Sequence, residues 1–135
     1  MKNSASGMTL VEVLVAMAIV FVIFLGMSSA GLVVLDQNIK NSQRDEAVSV
    51  AEREMHQVRN TPFDNLAAAA DNVAISVDNV SRQIRGLSTN YGVWRTVRHL
   101  DVSNLQVAIR VTWNRIENQQ TKSYNHTVLT IVRSR

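Results

Sequence analysis

The sequence of 135 residues has no cysteine, one proline and only 5% aromatic residues. The absence of cysteine excludes a stabilising disulfide, a thiolate metal site and a cysteine nucleophile. The chain is long enough for one domain. That domain has to be held together by packing.

The sequence also carries few signs of catalysis. Its three histidines, His56, His99 and His126, are separated by 43 and 27 residues, whereas metal ligands usually pair at short spacing. No serine lies in a strand–turn–helix elbow, and there is no glycine-rich phosphate loop. We therefore expect no enzymatic activity, no metal and no cofactor, and we expect the histidines to be ordinary surface residues.

Charge is moderate in amount but uneven in distribution, with a net value of +3. Between residues 36 and 78, eight acidic and four basic residues give −4. Between residues 82 and 135, nine basic and two acidic residues give +7. This asymmetry predicts an oriented surface that faces another subunit or an anionic polymer. The alternative interpretation is that the arginines form the solvated face of a sheet.

What the sequence does have is an uncharged, apolar run of 23 residues from Val13 to Leu35. As a helix with a rise of ~1.5 Å per residue, this run would span roughly 35 Å, against a hydrocarbon core of ~30 Å. Glu12 borders the run, and a charge at membrane depth costs roughly 2.5–3.5 kcal/mol on insertion scales. A carboxylate at such a position indicates a functional role for Glu12.

The ten residues from Gly7 to Ala16, GMTLVEVLVA, resemble the N-terminal signature of type IV prepilins and type II secretion pseudopilins. The resemblance implies a leader of residues 1–7, cleavage between Gly7 and Met8 by a prepilin peptidase, and methylation of the new N-terminus at Met8. It places Glu12 at the fifth position of the mature chain. Phe is the usual residue where this sequence has Met8.

The resemblance also implies a location and partners. Such a protein is anchored once in the bacterial inner membrane, with its domain outside the cytoplasm, and is then incorporated into a pilus or pseudopilus. Its partners would be other pilins, the prepilin peptidase and methyltransferase, and membrane lipid. Residues 107–113 and 127–131, with the helical residues 47–59, most resemble V-type minor pilins, which implies a subunit that helps to initiate or modulate assembly. An I-type minor pseudopilin of a type II secretion system is the alternative.

The resemblance gives Glu12 a charge partner, the N-terminal amine at Met8 of a subunit in the filament. Two paired opposite charges cost much less in a dry environment than either charge alone. The alternative interpretation is that Glu12 bonds Thr9 or the free backbone N–H groups of its own first turn.

Two other interpretations of the N-terminus remain open. One is an ordinary secretory signal peptide that is cleaved after residues 28–30, and the other is a plain signal anchor with an interfacial Glu12. A signal peptide has a positive first segment, yet Lys2 is the only basic side chain ahead of the apolar run. Neither interpretation explains why Gly7 precedes Glu12 at the peptidase spacing.

The apolar run continues into an amphipathic segment. Apolar side chains recur there at steps of three, four and three, which is one stripe of a helix: Val48, Ala51, Met55 and Val58. Pro62 disfavours helical geometry at Thr61, so the helix should stop just before it. We therefore predict one helix from about Thr9 to Asn60.

The residues that follow the helix are less regular. Asp64 is predicted to cap a short helical turn through residues 66–70. Residues 73–77 alternate between apolar and small or polar side chains, which predicts a short strand. Residues 88–92, STNYG, have the composition of a loop.

Three strands are predicted in the last third of the chain, at residues 94–102, 105–113 and 124–133, with a turn at Ser103 and Asn104. Successive strands with short connections form an antiparallel meander. The sequence therefore predicts an α+β fold, in which the second half of a long helix packs on a small antiparallel sheet. Four segments follow from this: a leader at 1–7, an apolar half-helix at 8–35, an amphipathic half-helix at 36–60 and a globular domain at 61–135.

The two tryptophans have two interpretations. Trp94 and Trp113 lie in alternating strands, and both are predicted to be core residues that cover the helix. The alternative is a platform that stacks nucleic-acid bases beside Arg95, Arg98 and Arg110, as a subunit for DNA uptake would need. Arg110 falls on the strand face opposite Trp113, so nucleic acid is not the expected partner.

Overall fold

The computed structural model of the chain describes residues 9–117 and 119–134, without the side chain of Ser29. This part of the chain divides into two compact units between Asn38 and Ile39. The long helix α1 begins in the first unit and ends in the second, which also holds a short helix and four strands. The elements are α1 (Leu10–Asn60), α2 (Phe63–Ala67), β1 (Ala74–Ile84), β2 (Leu87–Asp101), β3 (Asn104–Glu117) and β4 (Gln120–Arg133).

The first unit is the apolar part of α1. By length and composition this helix is able to cross a membrane, and its most apolar 18 residues are not buried in the structure. A signal sequence passes the same test, so the helix alone does not separate the two possibilities. The start of α1 at Leu10 and its end at Asn60 confirm the prediction of one helix from about Thr9 to Asn60.

The second unit contains an antiparallel sheet in the order β1-β2-β3-β4. The first hairpin turns at Arg85 and Gly86, whose φ angles are 49° and 83°. Two central residues with positive φ form the turn that matches the twist of paired strands, and glycine adopts that conformation without steric cost. Ile84 and Leu87 pair directly on either side of this turn. The meander predicted from the sequence is confirmed, with one strand more than the three long ones expected.

The second hairpin is closed by side chains. Asp101 pairs with Asn104 across the turn. The Asn104 amide donates to both carboxylate oxygens of Asp101 at 2.9 and 2.7 Å, and the Ser103 N–H donates to one of them at 2.8 Å. These bonds favour the charged carboxylate and so hold the pKa of Asp101 below its usual value. The bond from the Asn104 side chain has the largest effect.

The core lies between the second half of α1 and one face of the sheet, which we call the inner face. α1 contributes Ala47, Val50, Ala51, Met55 and Val58, and the strands contribute Tyr91, Val93, Val97, Leu105, Val107, Ile109, Val111 and Trp113, among others. Fully burying a Val, Leu or Ile side chain stabilises a fold by about 1.5–3 kcal/mol. This helix-on-sheet contact confirms the predicted α+β fold.

Polar bonds fix the helix on the sheet within this core. The Gln43 side-chain amide donates to the Thr89 hydroxyl at 3.0 Å, and the Tyr91 hydroxyl donates to the Gln43 carbonyl at 3.0 Å. Burial raises the pKa of Tyr91 to about 12, with a smaller contribution from Glu46. Because both bonds join groups more than 40 residues apart, they fix where along the sheet the helix lies.

Ion pairs add a second connection between α1 and the edge strand β1. The Arg53 guanidinium lies 2.8 Å from the Asp78 carboxylate, and Arg82 lies 2.8 Å from Glu46. These side chains are partly exposed, so each pair contributes roughly 0–1 kcal/mol. The pairs therefore orient α1 relative to β1 and add little to the stability of the fold.

The prediction of a loop at residues 88–92 was wrong, because these residues belong to β2. Thr89 and Tyr91 are buried there and bond to Gln43 of α1. Contacts with a distant helix therefore override the loop-like composition. The predicted strand at 73–77 was too short, since β1 runs from Ala74 to Ile84 with a register shift between Ser76 and Asp78.

Two smaller predictions were also wrong. Pro62 occupies the N-cap of α2 without a side-chain bond, and Asp64 lies in the first turn instead. Trp94 is half-exposed on the outer face of the sheet and is not part of the core. Of the stripe predicted on α1, Ala51, Met55 and Val58 are buried and Val48 is half-buried.

The position of the two tryptophans predicts opposite outcomes for their removal. Trp113 is 7% exposed and stacks against Tyr124 at 5.8 Å between ring centroids. We expect Trp113→Ala to lower the free energy of unfolding by ~3–5 kcal/mol, because a large cavity is left in the core. Trp94→Ala is the matched control and should cost clearly less. Chemical unfolding followed by circular dichroism measures both, and an unchanged midpoint for Trp113→Ala would contradict its place in the core.

Candidate functional site

The first turn of α1 is capped by Thr9. Its hydroxyl oxygen accepts from the Glu12 backbone N–H at 3.3 Å, and its carbonyl oxygen accepts from the Val13 N–H at 3.2 Å. A Thr followed three positions later by Glu is the sequence pattern of a capping box. Thr9 therefore sets the point at which the helix begins, and Glu12 takes part in the cap through its backbone.

The carboxylate of Glu12 is exposed, and in residues 9–117 and 119–134 it has no hydrogen bond and no ion pair. A carboxylate in the first turn gains about 0.3–1 kcal/mol from the helix dipole. That is smaller than the roughly 2.5–3.5 kcal/mol that a charge costs at membrane depth. The first turn alone therefore does not compensate the charge. Gly7 and Met8, the predicted cleavage and methylation site, lie outside the described residues.

The three histidines lie on different elements of the fold. His56 is exposed on α1, His99 lies in β2 and His126 is half-buried in β4. Across the part of the chain that the structure describes, no three His, Cys, Asp or Glu side chains are grouped as metal ligands. The expectation that His56 and His99 are surface residues agrees with their exposure.

His99 forms a small polar cluster with Asp71 and Ala67. Its Nε2 lies 3.0 Å from the Ala67 carbonyl oxygen and its Nδ1 lies 3.1 Å from the Asp71 carboxylate. Both ring nitrogens face acceptors, and only the protonated imidazole donates from both. These bonds raise the pKa of His99, and the bond to Ala67 has the largest effect. In turn, the bonds from the His99 backbone N–H and from its ring lower the pKa of Asp71.

The outer face of the sheet carries the residues of the nucleic-acid alternative. Trp94 of β2 pairs directly with Arg110 of β3, and Arg98 follows four positions after Trp94 on the same face. Arg95 lies on the inner face, as Trp113 does. The structure therefore places Trp94, Arg98 and Arg110 on one face of the sheet and Arg95 on the other.

Sequence reasoning missed a cleft of about 300 Å³ between α1 and the strands β3 and β4. It is lined by Lys40, Asn41, Gln43, Arg44, Trp113, Arg115, Tyr124, Asn125 and His126. These residues come from three elements and no local motif connects them. The excess of basic residues after position 82 accounts only for Arg115 in this lining, because Lys40 and Arg44 lie in the acidic segment 36–78.

The His99 cluster predicts a defined dependence of stability on pH. The pKa of His99 is raised in the folded chain. Its contribution to folding stability is therefore complete below its pKa in the unfolded chain, ~6.5, and is lost as pH rises through its pKa in the folded chain. Because the pKa of Asp71 is lowered, its contribution is present above ~3.9 and is lost as pH falls through the folded value. An NMR titration should find His99 above its ordinary pKa, and Asp71→Asn should lower it. A His99 midpoint that Asp71→Asn leaves unchanged would contradict the pairing.

Comparison with known proteins gives one finding, at the N-terminus. The family model for the prokaryotic N-terminal methylation motif matches residues 2–28. No curated protein and no solved structure matches the chain. Proteins with this motif are generally structural and not enzymatic. The motif, together with the long apolar helix that follows it, supports a type IV pilin-like protein that is made as a prepilin, anchored in a membrane and assembled with other pilins.

Proposed function

We propose that the chain is a minor pilin-like structural subunit that is incorporated into a type IV pilus and helps to initiate or modulate its assembly. The observation that carries the proposal is the methylation-motif match over residues 2–28, with Glu12 at the head of an exposed apolar helix. In this proposal a prepilin peptidase cuts between Gly7 and Met8 and the new N-terminus is methylated. The chain would wait in the inner membrane, with its domain outside the cytoplasm.

The exposed side chains of α1 support this proposal. Leu10, Met17 and Met27 are 78%, 67% and 71% exposed, and the other large apolar side chains of the run are between 39% and 69% exposed. Monomeric proteins rarely leave so large an apolar surface in water. A lipid bilayer covers such a helix before assembly, and the packed helices of a filament cover it afterwards. The same argument applies to a minor pseudopilin of a type II secretion system, and the resemblance of residues 107–113 and 127–131 to V-type minor pilins favours the pilus.

Glu12 has a specific part in this proposal. Its carboxylate needs a positive partner, because the helix dipole offsets only part of the cost of burying it. The N-terminal amine at Met8 of a neighbouring subunit would supply that charge and stay cationic after methylation. The pair would also set the axial position at which each new subunit docks.

The processing step is tested by the mass of the protein. Intact-mass analysis of membrane-extracted protein should show loss of residues 1–7 and the addition of one methyl group. Gly7→Leu is a suitable control, because it removes the residue before the cut and should leave the chain at full length. A mature chain that begins at Gly31 would contradict the proposal and establish a secretory signal peptide instead.

The charge pair is tested by conservative changes at Glu12. We expect Glu12→Gln to leave cleavage and membrane insertion intact and to reduce the amount of subunit in sheared filaments, because the amide carries no charge. Glu12→Asp is shorter by one methylene and should be partly tolerated. Asp45→Asn removes one charge from an exposed position on α1 and serves as the matched control. Normal incorporation of Glu12→Gln, measured in the same shear fraction as wild type, would contradict the pairing.

The outer face of the sheet favours a second candidate function, binding of single-stranded nucleic acid. Trp94 is half-exposed beside Arg110, which is the arrangement that a stacking platform with phosphate contacts requires. The residues of the inner face, including Trp113, would take no part.

Salt dependence and substitution test this second function. Trp94→Ala should weaken binding by roughly fivefold or more per stacked base. Arg98→Gln with Arg110→Gln should reduce the slope of log affinity against log salt by about 1.4, since each phosphate contact to a single strand contributes ~0.7. Arg59→Gln, an exposed change on α1, is the control. Absence of binding at ~50 mM salt would exclude this function.

A further inference from the structure

The cleft between α1 and the strands β3 and β4 has a strongly one-sided charge. Of the residues that line it, Lys40, Arg44, Arg115 and His126 are basic and none is acidic. Lys40 and Arg44 are exposed and one helical turn apart, and among the described residues neither has a carboxylate within 4 Å. Like charges at this spacing repel each other, so a bound anion would be favourable at this point.

An acid that contacts the lining of the cleft is already engaged. Glu117 accepts from the Tyr124 hydroxyl at 2.7 Å and lies 3.0 Å from Lys122 and 3.7 Å from Arg115. The bonds from Tyr124 and then Lys122 lower the pKa of Glu117, and Lys40 adds a weaker attraction. Among the described residues, Glu117 forms no ion pair with Lys40 or Arg44.

The cleft is lined by two stacked aromatic rings and by an unused acceptor. Trp113 and Tyr124 stack at 5.8 Å between ring centroids, and the Lys40 ammonium lies 5.7 Å from the Tyr124 ring centroid. Gln43 is 5% exposed, and its Oε1 has no hydrogen-bond partner among the described residues. A buried amide oxygen without a partner costs free energy, and a hydroxyl donor would satisfy it.

The position of the cleft in the chain indicates the source of the anion. Lys40 follows Leu35, the last residue of the apolar run, by five positions, a segment that spans at most roughly 18 Å even when fully extended. While the apolar run is in a bilayer, Lys40 is therefore held close to the lipid headgroups. Basic residues next to a membrane span attract anionic lipids, and basic pockets bind their headgroups.

We propose that this cleft binds the headgroup of an anionic phospholipid that carries free hydroxyls, of the phosphatidylglycerol type. The phosphate lies between Lys40 and Arg44, and a headgroup hydroxyl donates to Gln43. Release of the headgroup would accompany the departure of the subunit from the membrane. This inference rests on the membrane-anchored state in the proposed function.

The test uses the full-length protein in a neutral maltoside detergent, with its tryptophan side chains labelled with ¹⁵N. Dihexanoyl phosphatidylglycerol should give a saturable shift of the Trp113 indole signal, because Trp113 lines the cleft. The Trp94 signal, on the outer face, should stay in place. Dihexanoyl phosphatidylcholine, which has the same chains but no net charge, should move neither signal.

Two variants that each lose two positive charges distinguish binding in the cleft from general attraction of the anionic lipid to a basic protein. Lys40→Gln with Arg44→Gln should weaken binding about thirtyfold, from roughly fivefold per basic residue near an anionic lipid. Arg59→Gln with Arg85→Gln removes the same charge away from the cleft and should leave the affinity within about twofold, because neither residue lines the cleft. All four residues are exposed, so both variants should keep the unfolding midpoint of the wild type.

Three results would overturn the proposal. Equal affinity for inorganic phosphate would identify a site for free anions. A Trp113 shift that depends on protein concentration without lipid would assign the cleft to a second copy of the chain. Absence of any saturable shift would remove the site. Because these measurements do not depend on leader cleavage or on Glu12, failure here leaves the mass and filament tests of the pilin function unaffected.

Discussion

The close approach of α1 to the inner face of the sheet is the contact on which the second unit depends. Ala47 and Ala51 are fully buried, and their small side chains let the helix backbone come near the strands. Val50, Met55 and Val58 then fill the space on either side. With no cysteine in the chain, this apolar contact has to stabilise the second unit without a disulfide. The polar bonds of Gln43 fix the position of the helix within it.

The uneven charge of the sequence is explained by this packing. Where α1 meets β1, Glu46 of the helix is paired with Arg82 of the strand, and Asp78 of the strand is paired with Arg53 of the helix. Other basic residues form two surfaces that are separate in space. One is the outer face of the sheet around Arg110, and the other is the cleft of Lys40 and Arg44. The solvated face expected for the strand arginines describes the first surface and not the second.

The N-terminal helix obeys a different constraint. Its side chains are largely apolar and exposed, so its stability depends on lipid or on other helices that cover them. In that environment a single carboxylate is the largest local cost, and the cap formed by Thr9 does not bond it. The helix dipole offsets only about 0.3–1 kcal/mol of the roughly 2.5–3.5 kcal/mol that a charge costs at membrane depth. For this reason we propose a partner outside the chain for Glu12.

The sequence by itself determined the features that depend on neighbouring residues. The bounds of α1 follow from an uninterrupted apolar and amphipathic pattern that ends at Pro62, and β3 follows from its strict two-residue alternation. The methylation motif is likewise a continuous stretch, at residues 2–28. Only the tertiary structure decided the β1–β2 hairpin, the outward face of Trp94 and the cleft. In those places the stabilising partners lie far away in the sequence, as Gln43 does for Thr89 and Tyr91, so no local period records them.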